Sequence, residues 1–340
     1  MVSNMTHPFR WLALLAALVF PLLVSAVPAS AQQGQQINPT AQSLKEAELL
    51  KALKGGDAIS GRISIPDAKA ATLIQPDGRS WQDFKRSTLP MLGALLILGM
   101  LALLVLFYAI RGRIRIDSGP SGQFIERFGA IDRFVHWLTA SSFIILGLTG
   151  LNVTFGRSIV LPIVGPEAFT TLSEFGKMLH NYVGFAFMVG VVLTFLIWVK
   201  DNLPHSRDLV WLSHFGGLFS KGDHPPAERF NAGQKGIFWS VVIGGALMSL
   251  SGLHLIFPNS VGGGVAEIQF HSMIHGIVAM VMVAIILAHI YIGSVGMEGA
   301  KEAMTTGEVD LNWAKEHHSL WVERELKAKG QAIVHPAAAE

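Results

Sequence analysis

Five stretches of the chain are apolar over about twenty residues each, the length a helix needs to cross a bilayer. They lie at 91–110, 134–153, 179–199, 237–257 and 272–296, separated by polar segments that contain Gly and Pro. The last stretch carries His275 near one end and His289 near the other, fourteen residues apart. At about 1.5 Å and 100° per residue, the two imidazoles stand roughly 21 Å apart along the axis and within about 40° of one face. Two histidines on one face, one near each side of the membrane, make this helix a candidate carrier of two metal cofactors. Ahead of the first span the pattern changes. His7 and Arg10 precede a shorter apolar run at 11–24, and Ala29-Ser30-Ala31 follows it. That is the layout of a signal peptide over 1–31, with an uncleaved anchor helix as the alternative, and either way the next segment is expected outside. Residues 32–89 are polar, with turn signals at Gly55-Gly56, Pro66 and Pro76-Asp77-Gly78. They read as a small extracytoplasmic segment with a short helix at 43–53 and short strands in GRISIP and ATLIQP. One extra span, 90–111, then precedes a four-helix core at 124–300 and a tail at 301–340.

The loops between spans differ in charge. The 111–133 loop holds Arg111, Arg113, Arg115, Arg127 and Arg133, and the 200–236 loop holds Lys200, Arg207, Lys221, Arg229 and Lys235. The 154–178 loop has Arg157 and Lys177, and 258–271 has no Lys or Arg. Basic loops stay on the cytoplasmic side, so the first two loops and the C-terminal tail are expected there. The first span then enters from outside, in agreement with a cleaved signal. This topology puts His136 and His289 near the cytoplasm, and His180 and His275 near the outer face.

Composition agrees with an integral membrane protein: 51% of the 340 residues are hydrophobic and 15% charged, against about 25% charged in soluble domains. The net charge of +2 constrains no partner, and nothing points to nucleic acid. The chain has no cysteine. Thiolate-ligated iron–sulfur clusters, covalent haem attachment through C-x-x-C-H and disulfides are thereby excluded. A noncovalent b-type haem, held by imidazoles, is the natural candidate.

Such a haem takes two axial imidazoles from different helices, with small residues beside the porphyrin. The depth pairing gives His180 with His275 at an outer site and His136 with His289 at an inner one. Gly147, Gly150, Gly184, Gly190, Gly245, Gly252 and Gly276 are expected to leave room. His271, one turn before His275, is the rival outer ligand. His254 and His271 otherwise read as interfacial and solvated. His205, His214 and His224 read as solvated loop residues, while His317 and His318 sit in the tail as candidates for proton entry. The stretch 228–239, ERFNAGQKGIFW, lies at the cytoplasmic mouth of a span. Asn231 and Gln234 are amide donors there, Gly233 lets a ring approach the backbone, and Lys235 can snorkel. This suits a quinone head group, although N-x-G before a helix is also an ordinary cap.

Taken together, IDRFVHW (131–137), GKMLHNYVGF (176–185), FNAGQKGIFWS (230–240), the His275/His289 helix and WAKEHHSLW (313–321) occur in a recognisable order. Over about residues 124–325 the chain resembles the gamma subunit of respiratory formate dehydrogenase. That subunit is the cytochrome b membrane anchor of a molybdenum- or tungsten-dependent, quinone-reducing enzyme. The resemblance implies an all-α, multi-pass protein of the bacterial inner membrane, built on a four-helix di-haem bundle. It implies two b haems, the inner on His136 and His289 and the outer on His180 and His275. It also implies a quinone pocket, for menaquinone or ubiquinone, lined by Asn231, Gly233 and Gln234 and approached by His289. Electrons would come from an iron–sulfur beta subunit and a catalytic alpha subunit outside the membrane; formate oxidation belongs to that alpha subunit. The first 120 residues and the end of the tail depart from the compact family form. Three other readings share some features. Cytochrome b anchors of a hydrogenase or thiosulfate reductase share the haem helices; a proton-coupled transporter with buried histidines would be colourless; a purely structural anchor would not need its histidines.

Overall fold

Each of the five apolar stretches forms a helix that starts ahead of its apolar run. The computed structural model describes residues 78–219, 222–258, 264–330 and 334–336. The expected signal peptide and nearly all of the expected extracytoplasmic segment, including its helix and strands, lie outside the described residues. In chain order the main elements are α1 (Leu89–Arg111), β1 (Gln123–Glu126), α2 (Ala130–Ile159), α3 (Pro166–Trp198), α4 (Ser206–Ser213), α5 (Ala232–Ile256), α6 (Val265–Tyr291), β2 (Glu308–Asp310), α7 (Leu311–His317), α8 (Ser319–Lys329) and β3 (Val334–Pro336). Helices α1, α2, α3, α5 and α6 each belong to a segment long and apolar enough to cross a membrane.

Polar caps explain the extra length. Asp132 accepts the Gly129 N–H and starts α2 four residues ahead of the apolar run. α3 starts at Pro166, directly after Gly165 at φ 81°, where the fixed proline φ suits a first turn. α3 therefore has 33 residues, about 50 Å against a hydrocarbon core of about 30 Å. The expected 154–178 loop is in consequence mostly helical, with one short turn at Leu161–Val164. α1 continues backward through a wide turn (Phe84–Thr88) into a helical turn at Gly78–Asp83 and stops at Gly112, φ 68°.

α2 packs along α3, α5 along α6, and α3 against α5, while α1 lies on the flank of α6. Three of the glycines expected to make room for a cofactor instead make these crossings. A Cβ on Gly190 would press on Thr139, reaching its backbone Cα at 3.2 Å. One on Gly245 would strike Val191 at 2.7 Å, and one on Gly276 would strike Leu89 at 2.7 Å. α2 and α6 stay largely apart.

At the end of the bundle that carries the basic loops, the chain builds a cap. β1 pairs antiparallel with β2 on one side and β3 on the other. This small sheet is an addition to the helical expectation. Strands of three and four residues are too short to show an alternating pattern, and pairing brings Ile125 opposite both Val309 and Val334. Ile125 and Val309 are fully buried, in a core with Phe128, Phe230, Trp313 and Trp321. Asp310 joins sheet to helix, accepting N–H groups from Ser121, Gly122 and Asn312.

Candidate functional site

The four membrane histidines meet in the two pairs that depth predicts. The His180 and His275 ring centres are 6.2 Å apart, and those of His136 and His289 are 6.3 Å apart. With metal–imidazole bonds of about 2.0 Å and roughly 1.1 Å from ring nitrogen to ring centre, imidazoles on opposite sides of one metal have centres about 6.2 Å apart. Both pairs fit that spacing. His271 belongs elsewhere: it stacks on His254 at 3.9 Å and 25°, too close for a metal between them. His254 is buried at 5% exposure, not solvated as its position near a helix end suggested.

Ring separation alone does not make a haem site. The His224–His317 pair in the cap also has centres 6.0 Å apart, yet His224 Nε2 lies 3.1 Å from Asp117 Oδ2. In the membrane pairs the surroundings decide. Thr149 Oγ1 donates to the Ile145 carbonyl and lies 2.7 Å from His180 Nδ1. Ser251 Oγ donates to the Leu247 carbonyl and lies 3.0 Å from His275 Nδ1. With each hydroxyl proton on its own helix carbonyl the ring is the donor at Nδ1, where the Leu146 carbonyl (for His180) and the Met248 carbonyl (for His275) also accept. That fixes the tautomer and leaves both Nε2 lone pairs free for a metal. The residue after each hydroxyl is a glycine lying beside the ring. Ideal Cβ atoms on Gly150 and Gly252 would come within 3.6 Å of His180 Cε1 and 3.4 Å of His275 Cε1. Thr149 and Ser251 were not singled out in the sequence, since hydroxyls are common in such helices. The repeated hydroxyl–glycine dipeptide was the available signal. At the other pair, His136 Nδ1 is buried without a partner. Among the described residues no three His, Asp or Glu side chains gather at one point, and a porphyrin, with its own four nitrogens, asks for two imidazoles only.

Asn231 and Gln234 form a reciprocal cap at the start of α5: Asn231 Oδ1 accepts the Gln234 N–H at 3.0 Å, and Gln234 Oε1 accepts the Asn231 N–H at 3.2 Å. The capping role noted in the sequence is present, and it uses the two oxygens while leaving both amide NH₂ groups as donors. Gly233 faces the ring of Trp211, whose Cη2 would lie 2.9 Å from an added Cβ. Lys235 does not snorkel. It is buried, with Nζ 2.9 Å from both Asp208 oxygens and 3.0 Å from the Leu203 carbonyl, and so ties α4 to α5.

The segment leading into this cap is held from the tail. His318, completely buried, donates from Nδ1 to the Glu228 carbonyl at 2.8 Å, and Arg127 Nη2 donates to the Arg229 carbonyl at 2.6 Å. The Arg229 guanidinium bonds Asp201 at 2.9 Å. Burial, with Arg229 nearby, pushes Arg127 down to about 9, still cationic at neutral pH. Burial likewise holds His317 down at about 4 and His318 well below the usual histidine range. Both tail histidines are therefore neutral, His318 fully buried and His317 partly so.

The model of the prokaryotic cytochrome b561 family matches residues 127–307, just over half the chain, and contains all four paired membrane histidines with Thr149, Ser251 and the cap at Asn231. The chain belongs to this family. It is a multi-pass membrane cytochrome b, and the cofactor of such a protein is b-type haem. This cytochrome b561 is similar to curated formate dehydrogenase subunits. It is 27% identical over 218 residues to the nitrate-inducible cytochrome b556(Fdn) subunit of Escherichia coli K12, covering 62% of this chain and 95% of the relative. It is 28% identical over 199 residues to the cytochrome b556(fdo) subunit of the same strain, covering 58% and 91%. The cytochrome b556 subunit of Haemophilus influenzae formate dehydrogenase is 23% identical over 203 residues, covering 58% and 82%.

Proposed function

We propose that this protein is the cytochrome b subunit of a membrane-bound formate dehydrogenase. In this reading it holds two b haems, an outer one on His180 and His275 and an inner one on His136 and His289. It passes electrons from an extracytoplasmic iron–sulfur subunit to menaquinone or ubiquinone at the cytoplasmic side. The observation that carries it is the pair of facing imidazole sets on α6, each spaced for one iron, in a chain whose relatives are formate dehydrogenase subunits. The bound haems supply one-electron exchange between ferric and ferrous iron. The chain supplies distance, orientation and a low-dielectric surrounding.

α6 sets the spacing of the two sites, and α2 and α3 bring the opposing imidazoles. The cap, gathering Arg111, Arg115, Arg127 and Arg229, lies on the cytoplasmic side of a bacterial inner membrane, with the C-terminus there too. Asn231 and Gln234 offer amide N–H groups to the quinone oxygens, with Gly233 and His289 beside the ring. Protons taken from the cytoplasm while electrons arrive from outside separate charge, about 2.3 kcal/mol per charge per 100 mV.

The test is a dithionite-reduced minus oxidised spectrum with a pyridine haemochrome count on the purified chain, followed by formate-dependent quinone reduction in the isolated complex. Two b haems and formate-driven reduction of them are expected. A single haem overturns the four-histidine assignment, and a colourless folded protein overturns the electron-transfer reading altogether.

A further inference from the structure

The two imidazole pairs differ in what stands behind them. On the outer pair each Nδ1 meets a hydroxyl from a neighbouring helix, Thr149 on α2 for His180 and Ser251 on α5 for His275. On the inner pair His136 Nδ1 has no partner. Each hydroxyl has its own helix carbonyl as an acceptor, at 2.8 Å for Thr149 and 2.6 Å for Ser251, and with its proton there it accepts from the ring, beside the Leu146 carbonyl at His180 and the Met248 carbonyl at His275. An imidazole that donates at Nδ1 is a more electron-rich ligand at Nε2, and electron donation favours ferric over ferrous iron.

We propose that Thr149 and Ser251 are positioning residues for the outer cofactor, helping to hold both axial rings in the ligating tautomer and lowering the reduction potential of the outer iron. This rests on the di-haem reading above and adds to it a residue-level device: a lowered outer potential favours onward passage of the electron to the inner site. The glycine after each hydroxyl belongs to the same device. It lies beside the same ring, where an added Cβ would stand at contact distance from Cε1, 3.6 Å for Gly150 and 3.4 Å for Gly252.

The experiment is a potentiometric titration of both haems in the purified full-length protein, with a haemochrome count, for Thr149→Val, Ser251→Ala and the conservative Thr149→Ser and Ser251→Thr. The haem missing from His275→Ala identifies the outer signal. Loss of either hydroxyl should make the outer haem easier to reduce by roughly tenfold, at the lower end of what outer-sphere partners control, or about 59 mV for one electron. The inner haem should not move, and the conservative variants should return the outer one to its starting value. If Thr149→Val or Ser251→Ala fails to retain the outer haem, retention in the matching hydroxyl-keeping variant carries the proposal. Unchanged potentials with both haems present overturn it, as does a shift in the inner haem or failure of both conservative variants to restore. Absence of two haems from the unmutated protein would instead overturn the di-haem reading.

Discussion

His275 and His271 lie one helical turn apart on α6, and only His275 faces a second imidazole at metal-bridging distance. Substituting His275→Ala should therefore halve the haemochrome count and leave one b haem, whereas His271→Ala should keep both. His317 makes a separate prediction about pH. Burial holds its folded value at about 4, with His224 and Arg127 adding in the same direction and Glu316 and Asp117 opposing. The unfolded chain takes up this proton near pH 6.5, so above that pH the histidine contributes no pH dependence. As pH falls from 6.5 to 4 the unfolded state binds more protons, and the cap should lose about 1.4 kcal/mol per pH unit from this group. Hydrogen exchange of residues 308–322 at stepped pH would measure the loss, and His317→Gln should flatten it. The paired histidines were legible because a titratable ring in an apolar helix is conspicuous and depth alone pairs four of them. Thr149 and Ser251 were not, since their role depends on which helices cross. Nor was the burial of His254 and His318, which comes from packing between segments far apart in the sequence.

The spans were legible as elements because twenty apolar residues leave few alternatives, but their ends were not, since caps are made by polar residues outside the apolar run. Two contacts between elements carry testable weight. The Lys235–Asp208 pair is mostly shielded from solvent and bonds both carboxylate oxygens; charged hydrogen bonds of this kind contribute about 1.5–3 kcal/mol. Lys235→Met should loosen α4 from α5, raising hydrogen exchange over 203–218 by roughly tenfold or more, with both haems retained. The crossing at Gly190 behaves differently. Thr139 Cα stands 3.2 Å from an added Cβ and cannot swing aside as a side-chain tip would. Gly190→Val should push α2 from α3 and lower haem occupancy, read as a reduced haemochrome ratio and a lower melting temperature. From sequence this glycine looked like room for a porphyrin; the difference lies in which helix faces it.

At the scale of the molecule, the tail is part of the framework and not an appendage, because His318 and the α7–α8 segment secure residues 227–231 through the cap. Removing residues 301–340 should leave two haems in the bundle while formate-dependent quinone reduction is lost, a combination that spectra and quinone assays together would reveal. α1 has an effect of another kind. It precedes the segment matched by the family and lies along α6, with Leu89 packed onto Gly276 and Met280 onto Gly93. The flank of α6 thus answers to a neighbour within its own chain, and a subunit or lipid approaching from that side meets Leu95, Leu98 and Val105 instead. Enlarging residue 276 would bring a Cβ to 2.7 Å from the Leu89 Cδ2, a contact that a turn of the Leu89 side chain or a smaller residue at 89 relieves, so the two helices are coupled here through a movable side chain and not through backbone.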